Sequence, residues 1–228
     1  MRKLRKAVLA GVTATGLAMT LSACGDNVVG GDGPRPGVAF EVEGTRVSLD
    51  DLGNLTAGYC TLTEQDPQLG ATSRSFAQRV LLERWLDAVI VGELAEREGI
   101  EAPEPRTPLQ NITGWSELSD DEQAAVEDYI SAVNRAQAVR DASEGEQPDA
   151  AGLDIAVNPR FDAVPQLTDA PDEHFALAPA GGRLSFGVSD LASSGAVEEP
   201  SIDEVSRLPE SELCGERPDP QQPQVPLG

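Results

Sequence analysis

The sequence predicts a mainly α-helical domain with a small antiparallel sheet formed by N- and C-terminal segments. Three observations carry this expectation. Capping signatures at Ser48 and Ser119 each precede apolar residues at helical spacing. One long stripe, from Phe76 to Ala95, keeps that spacing over many turns. Alternating apolar and polar segments lie on either side of the helical region, VAFEVEGTRVSL from Val38 and LDIAVNPRF from Leu153. The 228 residues suit one domain of ordinary size with extra segments.

Taken in order, VAFEVEGTRVSL alternates around Glu43-Gly44, which predicts a short hairpin with Val38, Phe40 and Val42 on one face. Ser48, with Asp51 three positions on in the place of the usual Glu, opens a helix over about 48–64 in which Leu49, Leu52, Leu55, Tyr59 and Leu62 share a stripe. Ser73 opens the longest helix, with Phe76, Val80, Leu81, Trp85, Ala88, Val89, Gly92 and Ala95 on one face and Gly99 as its stop. Pro103, Pro105 and Pro108 break the chain over 100–118, leaving room for a short helical turn around Trp115. Ser119-Asp120-Asp121-Glu122 caps a third helix whose apolar face holds Val126, Tyr129, Ile130, Val133 and Ala136. After the break at 143–150, LDIAVNPRF and LSFGV (184–188) read as strands joined by a Pro/Gly-rich loop, with the N-terminal hairpin as their natural partner. The segment 191–228 is rich in proline and acid and is expected to be extended or disordered except where Cys214 pins it.

The 39 acidic residues outnumber the 17 basic ones, giving a net charge of −22. Such a surface repels nucleic acid phosphates, so no nucleic-acid partner is expected. The charge is unevenly placed: both lysines and two arginines lie within the first six residues, where there is no acid. Without them, 13 arginines face the same 39 acids, a balance of about −26. The cationic start is followed by the short apolar run AVLAGVTATGLAMTLSA, so residues 1–23 read as a secretory signal peptide, not a membrane span. The run ends in Leu21-Ser22-Ala23-Cys24, which resembles the lipobox of bacterial lipoproteins. The resemblance implies lipid transfer to the Cys24 thiol and cleavage just before it, with the mature chain held at the outer face of the cell membrane. Multiple acyl chains hold a body with no other membrane affinity, whereas one chain binds only marginally. Residues 24–37, with five glycines and two prolines from position 25 onward, then form a flexible tether.

Export to an oxidising compartment leaves Cys60 and Cys214 as one possible intramolecular disulfide. The loop it would close spans most of the domain and is worth roughly 5 kcal/mol in the chain-entropy account. The alternative is a pair of unpaired thiols with Cys60 buried on its helix. Two cysteines and one distant histidine lack metal-ligand spacing, and no metal or cofactor is expected. The catalytic inventory is equally thin: His174 is the one histidine, the mature chain has no lysine, and neither a nucleophile elbow nor a phosphate-binding loop is present. Paired acids such as Asp120-Asp121 and Glu198-Glu199 read as a helix N-terminus and a solvated tail. The expectation is a protein that is not an enzyme.

The stretch VEGTRVSLDDL, a leucine-patterned helix and a long helix ending in LAEREGI resemble, in that order, the N-terminal region of SurA-like periplasmic chaperones. Members typically read V-N-G-x-x-I-S in the hairpin and A-x-x-x-G-I at the end of the long helix. Here Glu43 stands for the Asn, while Gly44, Val47, Ser48, Ala95, Gly99 and Ile100 keep the pattern. VNPRFDAV and LSFGV resemble V-x-P-R-F-G-x-W and L-S-V segments of actinobacterial SurA-like lipoproteins, with Asp162 and Val164 departing from Gly and Trp. The resemblance covers residues 38–190. It implies a mostly α domain whose hairpin pairs with strands near the C-terminus, acting on unfolded or assembling envelope proteins. Many relatives carry an inserted parvulin-type prolyl isomerase domain with paired histidines; this chain has neither the room nor the histidines. The function expected is that of a lipid-anchored, monomeric chaperone or adaptor for polypeptide clients. The rival is an accessory lipoprotein docking one folded envelope partner through its acidic surface. Trp85 and Trp115 could line a client groove, or pack in the core.

Overall fold

In the computed structural model, residues 35–66, 69–103, 108–143, 152–161, 163–167, 175–179 and 199–218 are described. Strands β1 (Val38–Val42) and β2 (Thr45–Ser48) form the N-terminal hairpin. Its two turn residues, Glu43 and Gly44, both have positive φ, 48° and 96°. That is the geometry a two-residue turn needs to match strand twist, and it favours Asn-Gly over a longer side chain. The glutamate has a compensating role. Its amide donates to the Asp154 carbonyl at 2.9 Å, and its Oε1 accepts from the Asp154 amide at 2.8 Å. An Asn at this position has a shorter side chain with which to reach that amide. Glu43 thus forgoes the more relaxed turn that Asn would give and forms a clasp between the hairpin and the segment entering β4 (Ile155–Val157).

β4 pairs antiparallel with β1, so the three-stranded sheet runs β2-β1-β4 and joins the N-terminal hairpin to a segment from the far side of the helices. Asn158 closes the end of this ladder. Its amide donates to the Ala39 carbonyl at 2.8 Å, and its Nδ2 donates to the Val38 carbonyl at 2.7 Å. Beyond it, the Phe161 carbonyl accepts from Arg79 Nη1 at 2.9 Å, fixing the VNPRF segment against the long helix.

Three helices supply the body. α1 (Leu49–Gln65) begins in a reciprocal cap: the Asp51 amide donates to Ser48 Oγ at 2.9 Å and the Ser48 amide to Asp51 Oδ2 at 3.2 Å. α2 (Arg74–Glu98) is capped by Ser73 and ends at Gly99, whose left-handed φ of 68° makes the stop. α3 (Asp120–Ala142) starts in the Ser119–Glu122 capping box. The chain is thus mainly helical with a small antiparallel sheet. The three helices pack on one another, and one face of the sheet closes the core with Phe40 and Val42, both fully buried. Trp85, only 5% exposed, stands edge-on to Phe40 at 6.4 Å and to Tyr129 at 5.9 Å, so it ties sheet, α2 and α3 together. Burial pushes the Tyr129 phenol up, with the Arg84 guanidinium bonded to it pulling the other way. Between α2 and α3, buried Asp87 accepts from Arg140.

One charge on this scaffold works against folding. Burial, and then the neighbouring carboxylates of Asp51 and Glu127, push the Asp128 carboxyl above its ordinary value. The folded state therefore holds the Asp128 proton to a higher pH than the unfolded chain does, and stability falls as pH rises through that interval. Asp128→Asn is expected to raise the melting temperature at about pH 7, with the gain shrinking as pH falls into the carboxylate range near pH 4. Thermal melts across that range check it; an equal gain at both ends would defeat the assignment.

Two parts of the C-terminal half differ from expectation. The region read as a Pro/Gly-rich loop contains an antiparallel hairpin, β5 (Ala163–Leu167) with β6 (Phe175–Pro179). Its prolines, Pro165 and Pro179, sit in a two-stranded ladder, which has only edge strands, the kind of strand in which proline is found. The predicted strand 184–188 lies outside the described residues. The segment expected to be extended carries a short helix, α4 (Ile202–Ser206), with its own capping box from Ser201 to Glu204. It then continues through a 3-10 turn at Glu210–Glu212 into β7 (Leu213–Cys214), which pairs with β3 (Thr72–Ser73) just ahead of α2.

Candidate functional site

The place where the C-terminal segment meets the helices is built around Cys60 and Cys214. Cys60 lies on the last third of α1, where α1's apolar stripe carries it inward; Cys214 lies in β7. The two form a disulfide, with Cα atoms 4.6 Å apart and both residues buried at 2% and 0% exposure. The residue after Cys214 has to be glycine. Gly215 has φ 95°, and a Cβ there would lie 2.7 Å from Thr63 Cγ2 and 3.2 Å from the Ala71 Cα. Val205 and Leu213 bury their side chains in the same corner, and Arg217 donates to the Ser206 carbonyl at 2.6 Å and to Glu210 at 2.8 Å.

Beside the disulfide is a cavity of about 580 Å³, walled on one side by the end of α1 and the start of α2 and on the other by residues 199–218. The half-buried Tyr59, Phe76 and Ile202 give it apolar surface. Leu69, 50% exposed, also lines it and is the one exposed large hydrophobic side chain among the described residues. Charge comes from the exposed Glu199, Glu216 and Arg217. A space of this size, lined in about equal measure by polar and apolar surface, has room for a side chain or a short stretch of extended polypeptide.

Thr72, in β3, also lines the cavity, and its Oγ1 is buried with no hydrogen-bond partner among the described residues. A buried hydroxyl without a partner costs about 1–3 kcal/mol relative to one that is bonded. Thr72→Val keeps the branched shape and removes the orphaned group. It is expected to stabilise the protein by about 1 kcal/mol, read as a higher denaturant midpoint with unchanged slope. A lower midpoint would show that the hydroxyl has a partner in solution.

The sequence placed its candidate residues with mixed success. Cys24, His174 and Glu198 lie outside the described residues, as do the signal segment and most of the tether. Trp85 is a core residue, Trp115 is half-buried against the same core, and neither lines the cavity beside the disulfide. Asp120 and Asp121 occupy the first turn of α3. Among the described residues, no cluster of His, Cys, Asp and Glu could hold a metal ion, and no helix is long and apolar enough to cross a membrane. The cavity was missed because its walls come from opposite ends of the domain. Its one sequence signal is the Ser201-x-x-Glu204 cap, a folded turn in a segment that a Cys60–Cys214 pairing ties to the end of α1. No protein-family model, curated protein or solved structure matches the chain.

Proposed function

We propose that the protein is a lipid-anchored, extracytoplasmic chaperone or adaptor of the SurA-like kind, which holds segments of unfolded or assembling envelope proteins without catalysis. The observation that carries this reading is the cavity beside the disulfide. It brings the apolar side chains of Tyr59, Phe76 and Ile202, an exposed leucine and two exposed carboxylates to one space. The ordered motifs shared with SurA-like proteins and the export signal ending at Cys24 support it from the sequence. An acidic body is repelled by an anionic bilayer, so lipid on Cys24 supplies the attachment that the body itself opposes.

The test of the client-binding part is suppression of aggregation of a denatured secreted protein by the full chain, against an acidic control protein of similar size. Protection at near-stoichiometric ratios is expected, and its absence at excess defeats the reading. The anchor has its own test. Cys24→Ala is expected to prevent lipid labelling and to shift the protein out of the detergent-extracted membrane fraction; unchanged labelling and fractionation would exclude Cys24 as the attachment point.

A second reading, an accessory lipoprotein docking one folded envelope partner, draws on a specific feature. Among the described residues Leu69 is the one exposed large hydrophobic side chain, whereas a broad holdase benefits from a wider apolar face. Cross-linking in cells separates the two, since one stoichiometric partner supports docking and many clients support chaperoning.

A further inference from the structure

We infer that the cavity beside the disulfide selects extended polypeptide in which an apolar side chain is flanked by a lysine or arginine. This deepens the client-binding reading and rests on it. The apolar requirement follows from Tyr59, Phe76 and Ile202, half-buried side chains from three different elements whose surfaces meet at the cavity, with Leu69 exposed beside them. Covering them with a client's aliphatic or aromatic side chain removes apolar surface from water on both partners.

The basic requirement follows from how the lining charges are used. Arg217 is the one cation in the lining, and both of its nitrogens that make contacts are committed within the C-terminal segment, to the Ser206 carbonyl and to Glu210. Glu199 and Glu216 line the same space and are exposed. A client cation in this space meets two carboxylates, while a client carboxylate meets two like charges, with the surrounding field of an acidic body adding to both effects. Exposed charge pairs contribute modestly to affinity and more to discrimination, so the selection should be visible as a preference between peptides and should weaken with salt.

The experiment uses the full chain in detergent and two fluorescent, end-blocked peptides, one alternating leucine with lysine and one alternating leucine with glutamate. Fluorescence anisotropy is expected to show the lysine peptide binding about tenfold or more tightly, with the gap narrowing at high salt. Glu199→Lys combined with Glu216→Lys is expected to reverse the order of the two peptides. Leu69→Ser is expected to weaken both peptides without changing their order. These positions are exposed, so circular dichroism melts matching the parent establish that each variant is folded. Equal binding of the two peptides by the parent, or an order unaffected by the charge reversal, overturns the inference. The same samples in the aggregation assay keep the two proposals apart. Protection of a denatured client without peptide discrimination defeats the basic-segment inference and leaves the chaperone reading standing. Discrimination without protection defeats the chaperone reading and leaves the cavity as a specific peptide site.

Discussion

Replacing Cys60 and Cys214 together by serine is expected to cost about 3–5 kcal/mol and to release residues 199–218 before the three-helix body melts. The size of the effect follows from the loop. The bridge joins positions 154 apart, and in the chain-entropy account closing such a loop in the unfolded chain is worth roughly 5 kcal/mol. The order of events follows from what else holds the segment. β7 meets β3 through two residue pairs, α4 is five residues long, and Val205 and Leu213 are the side chains it buries most deeply together with Cys214. A ladder that short has little independent stability, and a single turn of helix has less. Hydrogen exchange with and without reductant checks the prediction: protection should fall over 199–218 while α1, α2 and α3 keep theirs, and the global midpoint should drop. Peptide binding should be lost under the same conditions, because Glu199, Ile202 and Glu216 leave together. Unchanged exchange in the C-terminal segment after verified reduction would mean that packing, not the covalent link, holds it.

The helical body was legible in the sequence because its boundaries are set by local chemistry. Ser48 with Asp51, Ser73, Gly99, and Ser119 with Glu122 each satisfy or terminate backbone groups within a few residues of themselves, so the pattern that predicts them is also the structure that forms. The pairing of β4 with β1 was readable as two alternating segments in need of partners. What escaped was decided at longer range or against composition. Pro165 and Pro179 argued against strands, yet an isolated two-stranded ladder has no central position from which proline is excluded. The acidic, proline-rich C-terminal stretch argued against order. Its capping box at Ser201 and its buried Val205 outweigh composition once α4 packs beside β3. Glu43 looked like a lapse from an Asn-Gly turn, and its reason is Asp154, a partner 111 positions away that no local rule could supply. The cavity belongs to the same class: Tyr59 and Phe76 fit the helical stripes that buried them on paper, and only the position of residues 199–218 makes them a wall.

Truncating Trp85 to alanine is expected to destabilise the protein by about 3–5 kcal/mol, the range for removing a large buried aromatic. A domain of this size is stabilised by only about 5–15 kcal/mol in total, so the variant should sit close to unfolding at physiological temperature. The cost concentrates here because Trp85 is shared by three layers. Its edge-on contact with Phe40 reaches the sheet, and its contact with Tyr129 reaches α3, each pair being worth about 0.5–1.5 kcal/mol beyond the area buried. Trp85→Phe keeps an aromatic ring in the gap and should recover more than half of the loss. Urea denaturation followed by circular dichroism measures both. The result also decides between two roles for this residue. A tryptophan lining a client groove would lose binding on truncation with little change in midpoint, whereas a 5% exposed core residue loses stability while the folded fraction of the Trp85→Phe variant keeps the parent's peptide affinity. A midpoint within error of the parent for Trp85→Ala would place the indole at the surface in solution and return it to the list of candidate client contacts.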